Sequence, residues 1–150
     1  MIIETVDLQN IEDAARVHSA SWQESHRAFC AAEFVNAHTP EHQKEYLLAK
    51  MQQGTAVYML RDDVPVAVVS VTGSLIEDLY VLPEYQCRGY GTCLLSWAVS
   101  RCTGTPTLWI LNNNDRARHL YEKYGFRETG NVHWLSEVLN EIEFSLKTGE

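Results

Sequence analysis

The stretch that most constrains the fold is residues 56–82, where three apolar runs follow one another with only tight turns between them. Ala56 to Leu60 is the first. Arg61-Asp62-Asp63 turns into Val64 to Thr72, with valines at 64, 66, 68, 69 and 71, and Thr72-Gly73-Ser74 turns into Leu75 to Leu82. Runs this short, joined by turns this tight, are predicted to be antiparallel strands. The middle run is apolar at successive positions, so both of its faces are expected to be covered. A sheet covered on both faces needs a layer on each side.

The flanking sequence supplies those layers. A first strand is expected at Ile2 to Val6. Asn10 reads as a helix cap, with Asp13 three residues on in the manner of a capping box. Leu8, Ile11, Ala15, His18 and Trp22 follow a helical spacing. A short helix is expected over about Ala31 to Asn36. Thr39-Pro40, cap then first-turn proline, opens another that carries Tyr46, Leu47, Lys50 and Met51 and stops at Gly54. Further on, a helix over about Gly89 to Cys102 has Leu94, Leu95, Ala98, Val99 and Cys102 as its buried stripe. Thr107 to Leu111 reads as a strand, Asp115 to Tyr124 as a helix ending at Gly125, and Arg127 to about Val132 and Glu141 to Leu146 as two final strands. The predicted fold is an α/β (α+β) sandwich. Its mixed, mostly antiparallel sheet has about six or seven strands flanked by helices, and the 150 residues fit one domain, 1–150.

Charge and cysteine usage narrow the partners. Twelve Lys and Arg face twenty Asp and Glu, a net charge of −8, which argues against nucleic-acid or acidic-membrane binding and is compatible with an amine substrate. No apolar run approaches the ~18 residues a spanning helix needs, and Met1-Ile2-Ile3-Glu4 does not open a signal peptide. Cys30, Cys87, Cys93 and Cys102 form no Cys-x-x-Cys pair and read as reduced thiols of a cytoplasmic protein.

Leu79-Tyr80-Val81-Leu82-Pro83-Glu84-Tyr85-Gln86-Cys87-Arg88-Gly89-Tyr90-Gly91 carries the strongest chemical signal. A strand runs through a loop into a helix N-terminus. Gly89 and Gly91 let a ligand approach the backbone. The N–H groups of Gln86 to Thr92, at the positive end of a helix dipole, suit a phosphate or pyrophosphate. Arg88 adds a full positive charge. The Gly-x-x-x-x-Gly-Lys-Ser/Thr loop is absent. The dinucleotide fingerprint fails too, because Leu94 stands where its third glycine belongs and Leu111-Asn112 where its acidic residue belongs. Gln-x-x-Gly-x-Gly remains, and alone it reads equally as a glycine-bearing turn before a helix.

A second segment decides between these readings. Asn112-Asn113-Asn114-Asp115-Arg116-Ala117-Arg118-His119-Leu120-Tyr121-Glu122-Lys123-Tyr124-Gly125-Phe126 begins where a strand ends. Together the two segments resemble the paired signature motifs of the GNAT (Gcn5-related) N-acetyltransferases, continuously over about Leu75 to Gly130. The resemblance implies acetyl-CoA as acyl donor, with its pyrophosphate on Gln86, Cys87, Arg88, Gly89, Tyr90, Gly91 and Thr92. It implies that the backbone of Leu79, Tyr80 and Val81 bonds the pantetheine arm. Asn114 matches the asparagine that contacts that arm, and Tyr121 the tyrosine that protonates the leaving thiolate. Asn114, Ala117 and Tyr121 share one helical face, with Ala117 leaving room for a ligand. The other reading of Tyr121 is a core aromatic.

An ammonium cannot attack a thioester, so a base is expected. Glu77 and Asp78 lie mid-strand, where carboxylates are depleted, and strand alternation predicts that they point to opposite faces. Glu77, in phase with Leu75, Leu79 and Val81, is the favoured base, with Asp78 in reserve. Binding of the substrate ammonium without proton transfer is the alternative. In some members of the family the following strand supplies a carboxylate; Trp109 stands there in this chain. No cysteine is placed beside a histidine base, so direct attack through a ternary complex is expected. The other class of function is an acyl-CoA sensor without turnover.

Trp22, His26 and Phe29 read equally as acceptor recognition and as a helix end with a packed Trp. His38-Thr39-Pro40-Glu41-His42 matches His-x-x-Glu-His, but Thr39-Pro40 starts a helix and leaves His38 outside it, so no metal is expected. The acceptor amine is not named by the sequence; a small molecule is slightly favoured over a protein. A homodimer is compatible with the sequence.

Overall fold

The central meander forms as its turns dictate. In a computed structural model describing residues 1–146, β2 (Ala56–Asp62), β3 (Val64–Thr72) and β4 (Leu75–Val81) pair antiparallel. Asp63 and Gly73 take left-handed φ values of 65° and 61° at the two hairpin turns, a conformation that Gly adopts freely and Asp tolerates. With β1 (Ile2–Thr5), β5 (Thr107–Leu111), β6 (Arg127–Trp134) and β7 (Asn140–Ser145) they build a seven-stranded sheet in the order β1-β2-β3-β4-β5-β7-β6. Only β4 and β5 run parallel.

Helices cover both faces. α1 (Ile11–His26) and α3 (Pro40–Gln52), linked by α2 (Ala32–Asn36), bring Ile11, Ala15 and Leu47 against Val57, Met59 and Val68. On the other face α4 (Tyr90–Arg101) and α5 (Asp115–Tyr124) join Leu94, Leu95 and Ala98 to Leu60, Val69, Val71, Ile76, Phe126 and Phe144. The valines of β3 thus feed two cores, as a strand apolar on both faces should. Each fully buried side chain of this size contributes about 1.5–3 kcal/mol.

The helix ends follow the sequence with one correction. Thr39 Oγ1 accepts from the His42 amide, the cap expected before Pro40. Asn10 does not cap α1 through its side chain. Its Oδ1 accepts from the Asp7 amide and its Nδ2 donates to the Thr5 carbonyl, so it ties the β1–α1 turn instead. Leu8 lies outside α1 and is exposed.

The expectation that Glu77 and Asp78 point to opposite faces is overturned. Ser70 pairs with Glu77 and Val68 with Tyr80, so Val69 alone faces both Asp78 and Leu79. That extra residue is a β-bulge, and Asp78 enters it with φ 54°. Alternation is interrupted there. Ile76, Leu79 and Val81 face the α4–α5 core, while Glu77 and Asp78 both reach side chains of α3. Glu77 is therefore out of phase with Leu79 and Val81.

Past the single pair Leu75–Thr107, β4 and β5 part. The β5-facing edge of β4 is left without a strand partner from Ile76 onward. This wedge between the two halves of the sheet opens toward the loop that precedes α4.

Candidate active site

The loop closing the wedge is shaped by its backbone. After a turn of 3₁₀-helix at Pro83–Tyr85, Cys87 and Gly89 adopt φ values of 64° and 89° before α4 begins at Tyr90. None of the amides from Cys87 to Thr92 donates to a protein acceptor among the described residues. Six donors at a helix N-terminus, with the dipole behind them, form an anion cradle. A Cβ built on Gly91 would meet Leu120 Cδ2 at 3.5 Å and Val81 Cγ2 at 3.7 Å, ordinary contacts, so packing does not demand this glycine. Arg88 is exposed and lies over the Tyr85 ring at 5.3 Å. Gln86 braces the loop: its Nε2 donates to the Val81 carbonyl, and its Oε1 accepts from Arg116 of α5. Arg116 brings a second cation to the loop, a placement that helix periodicity alone did not single out. The cradle, the free edge of β4 and α5 fit a pyrophosphate followed by an extended, amide-bearing arm.

α5 presents the other predicted groups. Asn114 Oδ1 caps the helix by accepting from the Ala117 amide, which leaves its Nδ2 free to donate. Tyr121 is buried against Phe126. Its hydroxyl makes no hydrogen bond among the described residues. Burial first, and the charge of Asp78 second, push the phenol above its ordinary range. It therefore remains a protonated donor at any physiological pH.

The two carboxylates differ sharply. Lys50 Nζ holds Glu77 Oε1 at 2.8 Å. Asp78 Oδ2 accepts from the Tyr46 hydroxyl at 2.7 Å and lies 3.6 Å from His18 Nε2. Burial alone would raise the Asp78 carboxyl. His18, Tyr46 and Lys50 outweigh it, and the group sits below the usual carboxylate range. Oδ1 of Asp78 has no partner among the described residues. Tyr80, edge-on to His18 at 5.1 Å, closes the same pocket, and its phenol is raised by burial and by Asp78. His18, Gln43, Tyr46 and Lys50 were not among the sequence-derived site residues. His18 was read as part of a helix stripe; its partner lies 60 residues away, on a strand whose bulge the sequence does not announce.

Trp22 and His26 belong to one stack. The Trp22 ring lies between His26 at 3.9 Å and His38 at 3.5 Å, both faces covered. Burial first, then His38, lowers the His26 imidazole against the opposing Trp22 carbonyl. Phe29, tilted on His26 at 5.3 Å, is the one of the three that lines an open cleft. That cleft, of about 320 Å³, is completed by Asn112, Asn113, Ser136, Val138 and Leu139. His38 stands outside α3, as the Thr39-Pro40 start requires.

Comparisons with known proteins bear on the fold and the family. The chain superimposes on the PaiA N-acetyltransferase of Thermoplasma acidophilum in complex with coenzyme A with a TM-score of 0.72 at 19% identity, covering 95% of this chain and 98% of that one. YncA, a putative acetyltransferase of Salmonella typhimurium with acetyl-CoA, gives 0.70 at 17% identity, over 100% and 95%. The ribosomal-protein-S18-alanine N-acetyltransferase of Escherichia coli gives 0.69 at 16% identity, over 99% and 96%. At these identities the likeness concerns the fold. Among curated protein sequences no significant match was found. No helix among the described residues is long and apolar enough to cross a membrane. The family model described as "Acetyltransferase (GNAT) domain" matches residues 42–128, more than half of the chain and the whole span from α3 through the start of β6, so the chain belongs to the GNAT acetyltransferase family.

Proposed function

We propose that the chain transfers an acetyl group from acetyl-CoA to a primary amine by direct attack in a ternary complex. The observation that carries the reading is a wedge whose mouth holds six free amides, near a buried Tyr121 and an Asp78 carboxylate with one open oxygen. The coenzyme A and acetyl-CoA complexes of the structural neighbours support the donor.

Acetyl-CoA would supply the activated acyl thioester. The amides of Cys87 to Thr92, with Arg88 and Arg116, would hold its pyrophosphate, and the free edge of β4 over Leu79–Val81 its arm, with Asn114 Nδ2 donating from α5. Tyr121 is the acid: burial keeps the proton on its phenol for donation to the departing thiolate, although the raised phenol yields it less readily than a free one. Lys50 occupies Glu77, so Asp78 Oδ1 is the carboxylate assigned to the amine. An acid held below the usual range is a weak base. Asp78 therefore anchors the ammonium, and the proton departs to water before attack. Phe29 and the cleft beside it would receive the rest of the acceptor.

Release of CoA thiol, measured with a panel of polyamines, aminoglycosides, amino acids and peptides, tests this reading. Turnover with an amine that Tyr121→Phe suppresses is the expected result. Tight acetyl-CoA binding by calorimetry with no thiol release from any acceptor would replace it with the sensor reading.

A further inference from the structure

The donor facing Asp78 is a histidine whose tautomer is fixed from behind. His18 and Gln43 are both 2% exposed. His18 Nδ1 lies 2.8 Å from Gln43 Nε2, an atom that can only donate, so Nδ1 accepts. Gln43 Oε1 lies 2.7 Å from His42 Nδ1, so a Gln43 amide that donates to His18 accepts from His42. A single ring proton on His18 is then on Nε2, the nitrogen that faces Asp78. That nitrogen is a buried polar atom without a hydrogen-bond partner, 3.6 Å from Asp78 Oδ2.

We infer that His18 is a positioning residue, locked by Gln43 as an Nε2–H donor, that keeps Asp78 ionised with Oδ2 occupied and Oδ1 turned to the acceptor ammonium. This rests on the acetyl-transfer reading above. The reverse tautomer would aim a nitrogen lone pair at a carboxylate, and both would repel. The remaining groups around His18 favour the same state. Tyr46 and Lys50 on α3 donate to the two carboxylates, Tyr80 on β4 meets the ring edge, and His26 on α1 acts on it only through its charge. Tyr46 donates to Oδ2 and the His18 ring faces the same oxygen at 3.6 Å, so an incoming cation finds Oδ1 the open one.

The test uses the full chain. Ring ¹⁵N shifts of His18 at pH 8 should report the Nε2–H tautomer, and Gln43→Leu, which takes the donor from Nδ1, should shift the Nδ1 resonance. An Nδ1–H ring in the parent protein, or an unchanged ring in Gln43→Leu, would overturn the lock. The ¹³C titration of the Asp78 carboxyl should move upward in His18→Leu and return in His18→Gln, whose amide also presents an N–H. A midpoint unmoved in His18→Leu would overturn the positioning role. With n-butylamine as acceptor probe, His18→Leu should raise the amine KM severalfold at constant KM for acetyl-CoA; an unchanged amine KM would also overturn it. Failure of n-butylamine to turn over at all would count against acetyl transfer, and the two NMR arms would still decide the state of His18.

Discussion

Tyr46→Phe isolates the electrostatics of the proposed amine anchor. The substitution removes one hydroxyl, 2.7 Å from Asp78 Oδ2, and keeps the ring that packs at 5.5 Å on His18. Burial first, and Asp78 second, raise the Tyr46 phenol, so it donates throughout the accessible pH range. Asp78 is held below the usual carboxylate range in the fold, as its donors overcome burial. A carboxyl with a lower pKa folded than unfolded stabilises the fold above its unfolded value, near 3.9, and that contribution is lost as pH falls through the folded value. At pH 7 the missing bond is one to a charged group, about 1.5–3 kcal/mol; once Asp78 is protonated it is a neutral bond of about 0.5–1.5 kcal/mol. The destabilisation should therefore shrink by about 1 kcal/mol or more from pH 7 toward the acid limit of the fold. For a chain of this length the neutral-pH loss corresponds to roughly 3–12 °C in Tm. Urea unfolding at a series of pH values gives the difference directly. A deficit independent of pH, or none at pH 7, would refute an ionised Asp78 bonded to Tyr46.

Tyr121→Phe should lower kcat on the order of 10²–10⁴-fold, leaving KM for acetyl-CoA nearly constant; retention of most of the kcat where chemistry limits turnover would remove Tyr121 from the acid's role. Gly91→Asp should abolish acetyl-CoA binding by calorimetry. Its Cβ finds only ordinary contacts and an acid in the first turn of a helix is favourable, so the fold should persist, and undiminished affinity would show that the pyrophosphate lies elsewhere. Asp78→Asn should raise the amine KM more than Glu77→Gln does, measured by thiol release at pH 7 and pH 9. The opposite ranking, with a Glu77→Gln deficit that closes at high pH, would make Glu77 the base.

Elements carried by periodicity and turn chemistry were legible in the sequence to within a residue or two at most ends. Thr39-Pro40, Gly54 and Gly125 mark boundaries because each answers a local need: a cap, a first-turn proline, a chain reversal. The loop of free amides before α4 was legible for the same reason, since glycines at a helix N-terminus act through backbone that needs no distant partner. The bulge at Asp78 was not. Alternation assumes one residue against one, and nothing local to Leu75–Val81 shows that Val69 faces two. That single misreading set the faces of Glu77 and Asp78, and it hid His18 and Tyr46, whose roles exist only if Asp78 turns toward α1 and α3. Asn10 failed differently: a residue able to cap a helix was equally able to tie the turn before it.

The bulge also explains why the neighbouring carboxylates need separate partners. On a regular strand, Glu77 and Asp78 would lie on opposite faces with the sheet between them. The bulge brings both to the α1–α3 face, where two adjacent negative charges in a half-buried site repel. The fold answers unequally. Glu77 receives a full positive charge from Lys50, while Asp78 accepts from the Tyr46 hydroxyl and faces the His18 ring at 3.6 Å. An ion pair cancels the field of its carboxylate, whereas a neutral hydroxyl such as that of Tyr46 stabilises the charge without cancelling it. Asp78 is thereby left without a lysine or arginine partner among the described residues, with Oδ1 open. A left-handed φ at a non-glycine position costs on the order of 1–2 kcal/mol, and a strand without the bulge would avoid that cost while placing Asp78 beyond the reach of Tyr46. The strain and the separate partners of the two carboxylates thus have one origin, the bulge that turns Asp78 toward Tyr46 and away from the face of Leu79 and Val81.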